Sequence, residues 1–464
     1  MPKLPEKPPA DWMQYLSLPR NGLSEDPDLQ REVAEYNRRY LSWDQLKYRI
    51  RDPERRKRVW GLMKLLRVWR QEHVPHSTLS LTYSLIPDIV QGLHTIDRYL
   101  SGTIQIQNRT IRLEQSYIIH SLMEEAIASS VLEGASTTRK VARDMLMKGR
   151  KPRTHDERMI FNNYEAMRFI LEKKDESLTP GLILEIHRIV TSGTMDEEEV
   201  GRFRESNDVV VADPVTGLVY HQPPEYHEIG GLIDELCRFA NQDRLKDERA
   251  GGDFIHPVIT GIILHFLLGY IHPFTNGNGR TARSIFYWYV LSRGYQLFEY
   301  MPISRIILHS KKNYTLAYLH TEYDGMDLTY FLTYHLHCIT EALADLFRYL
   351  ERKQSELTET KAIIQKITEV NQRQAGILRE MMEHRDEYFT IRQVMQMYTT
   401  AYQTARTDLL SLADLGYLIK RKRGREFIFI YNEESPIGKG GRTKKGKERI
   451  RTGGNVPREP LNPG

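Results

Sequence analysis

The chain is poor in cysteine and lacks a long apolar run. Its two cysteines, Cys237 and Cys338, lie far apart and match no metal-binding spacing, so the composition indicates a reducing compartment without a disulfide framework. Residues 1–14 contain no apolar core of the signal-peptide type. The apolar run Val258–Ile271 is too short to span a bilayer and contains His265. We therefore expect a cytoplasmic protein without a membrane partner.

A strong excess of one charge is also missing. The chain has 66 Lys and Arg against 61 Asp and Glu, which gives a net charge of +5. A 27% share of charged residues predicts a soluble surface, and 40% hydrophobic residues supply enough material for cores. A length of 464 residues predicts two or three domains.

The most informative stretch is Ile271–Arg283, IHPFTNGNGRTAR, between the apolar runs Val258–Ile271 and Thr281–Leu291. Its two glycines allow backbone N–H groups to turn toward an anion, and a helix beginning there adds its positive end. Its two arginines, three residues apart, lie on one side of such a helix and can hold phosphate oxygens. A histidine at the mouth, His272, can accept a proton near neutral pH.

A glycine-rich connection between two helices is the simpler interpretation. Residues 272–283, called the signature segment below, nevertheless resemble the Fic family signature, His-x-Phe-x-acid-Gly-Asn-Gly-Arg-x-x-Arg. Every specified position matches except the acidic one, where this chain has Asn276. The resemblance extends from about Gln115 to Leu336 and implies a mainly α fold, with a helical Fic core.

The resemblance implies transfer of AMP from ATP to a Ser, Thr or Tyr hydroxyl of a target protein, with Mg²⁺ bridging the phosphates. His272 is then the general base and Phe274 anchors the loop. The residues implied for nucleotide and metal binding are Gly277, Asn278 and Gly279 for the α- and β-phosphates, Arg280 for the leaving pyrophosphate, Arg283 for the γ-phosphate, Tyr314 near the adenine, and Asn276 for the metal. Alternatives are removal of AMP by the same site, transfer of another phosphate-containing group, and a DNA-binding regulator with a Fic sensor core.

A helix is predicted over Glu114–Glu133, with Gly134 as its left-handed cap. Glu133 lies at the negative end of this helix, so it either points into water or has a cationic partner. The sequence from Ser129 to Gly134 is similar to the family's inhibitory pattern, Ser/Thr-x-x-x-Glu-Gly/Asn. The resemblance implies an inhibitory helix near residues 114–134, in which Glu133 pairs with Arg283.

A hairpin is predicted from the runs 208–212 and 218–221 around the turn 213–217. The resemblance implies that this hairpin is the flap that holds the target's peptide as an added strand. The implied docking residues are Val209, Val210 and Val211.

Residues 1–110 are predicted to form a helical region in which Trp43, Trp60 and Trp69 pack inward. The Fic domain is assigned to residues 111–338, and a connecting helix to residues 339–369.

Residues 370–432 combine three helical segments with two strand-like runs, Tyr417–Lys422 and Glu426–Tyr431, and resemble a winged helix-turn-helix domain. The residues expected to reach DNA are Gln403, Arg406 and Thr407 on the third helix and Arg421, Lys422, Arg423 and Arg425 in the wing. A protein partner or dimerisation is the alternative of equal weight, and a homo-oligomer is compatible with the sequence. Residues 433–464 are predicted to be a disordered basic tail.

Overall fold

The computed structural model describes residues 3–16, 26–76, 78–100, 105–106, 109–110, 115–213, 215–245, 254–365, 370–383, 385, 387–398, 400–423 and 426–435. The chain divides into two compact units, residues 1–347 and 348–464. Within the described part of the chain, no helix is long and apolar enough to cross a membrane.

The first unit is mainly helical, as predicted. Its α-helices are α1 Pro27–Arg38, α2 Trp43–Leu46, α3 Pro53–Val68, α4 Pro87–Leu100, α5 Gln115–Leu132, α6 Arg139–Met147, α7 His155–Lys173, α8 Pro180–Thr191, α9 Ile229–Leu245, α10 Pro257–Ile271, α11 Asn278–Ser292, α12 Ile303–His309 and α13 Lys311–Tyr323. Short 3-10 helices cover Trp12–Tyr15, Tyr226–Glu228 and Gln296–Tyr300. The antiparallel strand pairs are β1 Glu72–His73 with β2 Thr82–Tyr83, β3 Gln105–Ile106 with β4 Arg109–Thr110, and β5 Val211–Ala212 with β6 Val219–His221.

Helix α14, Thr329–Gln365, begins in the first unit and ends in the second. The predicted connecting helix covers residues 339–369. Its residues 339–365 form the later part of a longer helix that starts at Thr329, and residues 366–369 lie outside the described residues.

The second unit contains three further helices and one sheet. The helices are α15 Gln372–Glu383, α16 Ile391–Met397 and α17 Tyr402–Asp414, and the strands are β7 Tyr388–Thr390, β8 Leu418–Arg423 and β9 Glu426–Tyr431. The antiparallel sheet has the order β7-β9-β8, and its core includes Leu378, Leu409 and Phe429. The resemblance to a winged helix stays a prediction. Arg425 and residues 436–464 lie outside the described residues.

The N-terminal helices are joined to the rest of the first unit by buried charged groups. Arg67 donates to the Tyr330 hydroxyl at 2.7 Å, and the Lys64 ammonium lies 2.9 Å from an Asp324 carboxylate oxygen. All four residues are buried, and buried charges of opposite sign must be paired to be tolerated. Removal of the Asp324 carboxylate would leave the Lys64 ammonium buried without this contact.

Two of the three tryptophan predictions are confirmed. Trp43 and Trp60 are 4% and 1% exposed, and their rings meet edge to face at 6.0 Å. The prediction for Trp69 is wrong, because this residue is 78% exposed. Helix α3 ends at Val68, so Trp69 is its C-cap and lies beyond the packed stripe of the helix.

Helices α10 and α11 form the centre of the helical part that carries the signature segment. Helix α10 packs against α11 and α9, while α11 also packs against α7 and α8. Gly261 permits the close approach of α10 and α11, because a Cβ at this position would lie 3.0 Å from a Val290 methyl group. The segment that joins these two helices is thus fixed at both ends by buried structure.

Candidate active site

The signature segment begins where α10 ends in a left-handed turn. His272 is the C-cap of α10 with φ 48° and ψ 56°, and its N–H donates to the Leu268 carbonyl at 3.0 Å. Helix α11 begins at Asn278, after Gly277 with φ 82°. These two left-handed residues fold the segment back over the start of α11.

The buried side chain of Asn278 holds the signature segment together by two hydrogen bonds to the backbone of Phe274. Its Oδ1 accepts from the Phe274 N–H at 3.0 Å, and its Nδ2 donates to the Phe274 carbonyl at 2.7 Å. Asn278 is 2% exposed and Phe274 is 0% exposed. The Phe274 ring stacks on the His187 ring, with centroids 3.7 Å apart and planes 4° apart. The Asn278 side chain is therefore engaged in shaping the loop, so a phosphate contact from this residue would come from its backbone N–H.

Gly277 and Asn276 form the tightest part of the turn. A Cβ on Gly277 would lie 2.7 Å from the Thr191 methyl group, so both its φ and its surroundings require glycine. The Asn276 Oδ1 accepts from the Gly277 N–H at 2.6 Å, and the His187 Nε2 lies 2.9 Å from the Asn276 carbonyl oxygen. Asn276 is exposed, and no group of three or more His, Cys, Asp or Glu side chains in the described part of the chain could hold a metal ion.

The His272 ring has one nitrogen engaged and one nitrogen left for a substrate. Its Nδ1 lies 3.1 Å from the Gly269 carbonyl oxygen, which only accepts, so Nδ1 carries the hydrogen. Burial lowers the pKa of His272 to about 4, and the Gly269 carbonyl offsets this only in part. The ring is neutral at pH 7, and the lone pair of Nε2 can accept a proton.

Two buried arginines follow on α11. Arg280 is 1% exposed and donates from Nη1 to the Val190 carbonyl at 2.6 Å, while its Nε has no partner in the described structure. Burial lowers the pKa of Arg280 to about 10, so the guanidinium stays charged at pH 7. Arg283 is 3% exposed, and its Nη1 also has no partner among the described residues. Buried cationic donors without partners suit a bound anion.

Ser129 and Glu133 from α5 meet Arg283. The Arg283 Nε donates to the Ser129 Oγ at 2.8 Å, and its Nη2 donates to the Ser129 carbonyl at 3.0 Å and to Glu133 Oε1 at 2.8 Å. Burial raises the pKa of Glu133, but Arg283 and then Arg280 outweigh it, so the net direction is downward and the carboxylate is ionised at pH 7. Helix α5 ends at Leu132, and Gly134 adopts φ 102° as predicted.

The Glu133 carboxylate lies directly over the start of α11. A Cβ built on Gly279 would be 2.1 Å from Glu133 Oε1 and 3.1 Å from Arg283 Nη1. Gly279 therefore leaves the space that this carboxylate fills. The first N–H groups of a helix and its positive end attract an anion at this point.

The predicted adenine contact, Tyr314, lies in an aromatic cluster beside Arg283. Its hydroxyl is 2.9 Å from His265 Nε2, and its ring lies against Tyr318 and His335 with centroids 5.3 and 5.9 Å apart. Burial raises the pKa of Tyr314, and the Arg283 charge opposes this shift.

The hairpin predicted as the flap is present and short, with half-buried residues in β5 and two buried residues in β6. Val211 lies in β5, whereas Val209 and Val210 precede the strand, and Val210 is 39% exposed. The base of the hairpin is fixed by His221, whose Nδ1 lies 2.8 Å from a Glu322 carboxylate oxygen and whose Nε2 lies 2.7 Å from the Tyr270 carbonyl oxygen. The flap is thus attached two residues before His272.

Four structural contributors to the site were not found from the sequence. Arg204 donates to the His272 carbonyl at 3.0 Å and fixes the backbone of this residue. His187 contacts Phe274 and Asn276, and His221 holds the hairpin at its base. Lys311 donates to the last carbonyl of α5. Each comes from an element distant in sequence, so no local pattern marked it.

Comparisons with known proteins assign the fold around this site. Residues 177–290 match the Fic/DOC family, so the chain contains a Fic domain. The chain is 32% identical over 174 residues to protein adenylyltransferase Fic of Nematostella vectensis, covering 37% of this chain and 36% of that protein. It is 29% identical over 237 residues to protein adenylyltransferase Fic of Aedes aegypti, covering 50% and 42% of the two chains. The similarity therefore spans less than half the length of these relatives.

A solved structure agrees with this assignment at the level of the fold. The crystal structure of a Fic family protein from Desulfovibrio desulfuricans matches with a TM-score of 0.50 and 18% identity, covering 76% of this chain and 98% of that chain. Glu133 and Ser129 lie before the segment that matches the family, so their role rests on the geometry above.

Proposed function

We propose that this protein transfers AMP from ATP to a Ser, Thr or Tyr hydroxyl of a target protein, and that Glu133 inhibits the reaction. The observation that supports this most directly is the Glu133 carboxylate over Gly279, paired with Arg283 at 2.8 Å. A carboxylate held by a helix N-terminus and an arginine occupies a position suited to a phosphate. The names of the relatives, protein adenylyltransferase Fic, support the same chemistry.

The anion site supplies groups for the triphosphate. The unpaired donor Arg283 Nη1 lies beside Gly279 at the start of α11, where the first N–H groups of the helix are found. The Arg280 charge acts on the Glu133 carboxylate at the same place, and Arg280 Nε is also without a partner in the described structure. Arg280 is assigned to the phosphates that leave as pyrophosphate, and Arg283 to the γ-phosphate. These fixed charges stabilise the leaving group without reorganisation, because protein contacts already hold the guanidinium groups.

The reaction follows from the position of His272. The target hydroxyl oxygen attacks the α-phosphorus of ATP, and its proton moves to His272 Nε2. The bond between the α-phosphorus and the bridging oxygen breaks, and pyrophosphate leaves. The neutral tautomer, with Nδ1 donating to the Gly269 carbonyl, keeps the lone pair of Nε2 available for this proton.

The resemblance to the family implies Mg²⁺, and this chain offers one neutral side-chain ligand for it, Asn276. Asn276 is exposed, and its Oδ1 retains a second lone pair beside the bond from Gly277 N–H. Mg²⁺ usually keeps several water ligands and takes oxygen atoms from the substrate's phosphates, so one protein oxygen is compatible with binding. When bound, the ion supplies charge neutralisation of the phosphates.

Inhibition follows from the contact between Glu133 and Arg283. While the carboxylate holds Arg283, the γ-phosphate cannot use the same guanidinium, so ATP binds in an unproductive position. Glu133 is 31% exposed on its side chain, which leaves it room to turn away.

The test uses two labelled forms of ATP. Glu133→Gly protein is incubated with a cell lysate and either α-³²P-ATP or γ-³²P-ATP, and Glu133→Gly/His272→Ala is the matched control. Label retained on protein only from the α-position, and lost in the control, supports AMP transfer. Label from the γ-position would indicate phosphoryl transfer instead, and no label from either would contradict the proposal.

A second function, DNA binding by the second unit, is supported by its exposed cations. Lys420, Arg421, Lys422 and Arg423 on β8 and Arg406 on α17 are exposed, and none of them forms an ion pair with a described residue. Alternate residues of β8 point to opposite faces, so both faces of the strand carry positive charge.

Duplex binding by the full chain tests this second function. A gel shift with a 30-base-pair duplex should weaken for Arg421→Ala/Lys422→Ala, with a smaller dependence on salt concentration. Arg31→Ala, which removes an exposed cation of α1, is the control and should bind as the unchanged protein does. Equal binding by all three proteins would contradict a role for β8.

A further inference from the structure

Helix α5 is fixed along its length before it reaches Glu133. The Ser121 hydroxyl donates to the Tyr300 carbonyl at 3.1 Å, and the Ser130 hydroxyl donates to the Met159 carbonyl at 3.3 Å. Glu125, 2% exposed, accepts from the Ser304 N–H at 2.9 Å and from the Ser304 hydroxyl. Departure of the whole helix would break all of these buried bonds. A switch at this site must therefore act within the last turn.

The carbonyl directly before Glu133, at the end of α5, is held by a side chain from outside the helix. The N–H of Gly134 donates to Val131 O at 3.0 Å, and the N–H groups of Glu133 and Ala135 donate to Ser130 O at 3.1 and 3.0 Å. The Leu132 carbonyl, which belongs to the peptide bond of Glu133, accepts from Lys311 Nζ at 2.9 Å.

Lys311 lies at the start of a helix that packs next to α5's other anchoring contacts. It is the first residue of α13 and follows α12, whose Ser304 holds Glu125. Its ammonium lies at the C-terminal end of α5, where a cation satisfies a free carbonyl and opposes the negative end of the helix dipole. The Lys311 charge also lowers the pKa of Glu133, although burial, Arg283 and Arg280 have larger effects on this pKa.

We propose that Lys311 is the positioning residue that keeps Glu133 over Gly279. This inference rests on the proposed inhibition by Glu133. By fixing the Leu132–Glu133 peptide, Lys311 fixes the direction in which the Glu133 side chain leaves the backbone. Without this bond the last turn of α5 loosens, Glu133 spends less time on Arg283, and ATP binds productively more often.

The test compares AMP transfer by Lys311→Met, Lys311→Arg and Lys312→Met. Lys311→Met keeps the length of the side chain without its charge, and it should raise transfer about three- to tenfold, the worth of one partly exposed charged hydrogen bond. Lys311→Arg should remain near the unchanged protein, because a guanidinium can also donate to the carbonyl. Lys312→Met, which alters the exposed neighbour, should have no effect.

The same substitution in the Glu133→Gly background separates this inference from the proposed function. Lys311→Met should then have no further effect on kcat or on the KM for ATP, because no inhibitory carboxylate remains to be positioned. Reduced transfer in this background would make Lys311 a nucleotide contact and would overturn the inference. Absence of transfer by Glu133→Gly alone would instead contradict the proposed function.

Hydrogen exchange gives a readout that does not depend on activity. In Lys311→Met, the amides of Glu133, Gly134 and Ala135 should exchange several-fold faster, while those near Glu125 stay protected. Unchanged exchange at all of these amides would show that Lys311 does not hold the last turn.

Discussion

The signature segment and the end of α5 touch each other but are held in opposite ways. In the signature segment, Phe274 and Asn278 are 0% and 2% exposed and are bonded to each other twice. Glu133 keeps 31% of its side chain exposed, and its carboxylate is held by the ion pair with Arg283. The Arg283 guanidinium is buried, but the Glu133 carboxylate is partly exposed, and a partly exposed ion pair is weaker than a fully buried network of hydrogen bonds. Under the proposed function, this difference keeps the groups of the signature segment fixed and allows the Glu133 carboxylate to leave.

The largest expected effect tests the fixed region. In the Glu133→Gly background, His272→Ala should lower AMP transfer by about 10²–10⁴, the usual worth of a positioned general base. ATP binding should persist, because the ring serves the hydroxyl and not the phosphates. Transfer assays and nucleotide titration measure the two effects, with the exposed-residue variant His73→Ala as control. Near-normal transfer would remove the role of His272.

The next effect tests the releasable region. Glu133→Gly should raise AMP transfer, including self-modification, by about 5- to 150-fold, the range of a typical coupling between sites. The reason is that Arg283 becomes available to the γ-phosphate. The assay uses saturating ATP and Mg²⁺, and Glu124→Gly, which lies nine residues before Glu133 on α5, is the control. Equal transfer by Glu133→Gly and the unchanged protein would make Glu133 an ordinary surface residue.

A smaller effect is expected at the one position where the signature segment departs from its family. In the Glu133→Gly background, Asn276→Asp should lower the Mg²⁺ concentration for half-maximal transfer by several-fold, because it adds a negative charge at the oxygen already present. The comparison is a Mg²⁺ titration of both proteins at one pH. If the midpoint does not move, Asn276 is not a metal ligand.

The smallest effect concerns pH. Burial lowers the pKa of His272 to about 4, so the base stays neutral at any pH well above that value and becomes protonated only below it. The kcat/KM of Glu133→Gly should therefore fall by less than about twofold between pH 7 and pH 5.5, whereas a base with an ordinary histidine pKa would lose about tenfold. A fall centred near pH 6.5 would show that the ring is more hydrated than its burial indicates.

The sequence predicted the elements that depend on local patterns. The left-handed cap at Gly134, the hairpin at β5 and β6 and the apolar α10 all follow from residues next to one another. The pairing of Glu133 with Arg283 joins residues from distant elements, and it could be predicted only through the resemblance to a family.

The supporting contacts could not be predicted in the same way. Nothing near Lys311 or Arg204 in the sequence indicates that one caps α5 and the other holds the His272 backbone. The resemblance implies Asn278 for the phosphates, whereas packing assigns its side-chain amide to Phe274. Trp69 shows the same limitation. It lies one residue beyond the end of α3, and its indole is exposed to solvent.

The left-handed backbone of His272 limits which substitutions report on chemistry alone. At φ 48°, alanine brings a steric strain that asparagine and histidine tolerate better. His272→Asn should therefore remove the imidazole while keeping the turn, with a smaller loss of thermal stability than His272→Ala. In a cell, such a protein with Glu133→Gly would hold ATP and dock targets without modifying them. It is the better bait for capturing the target protein.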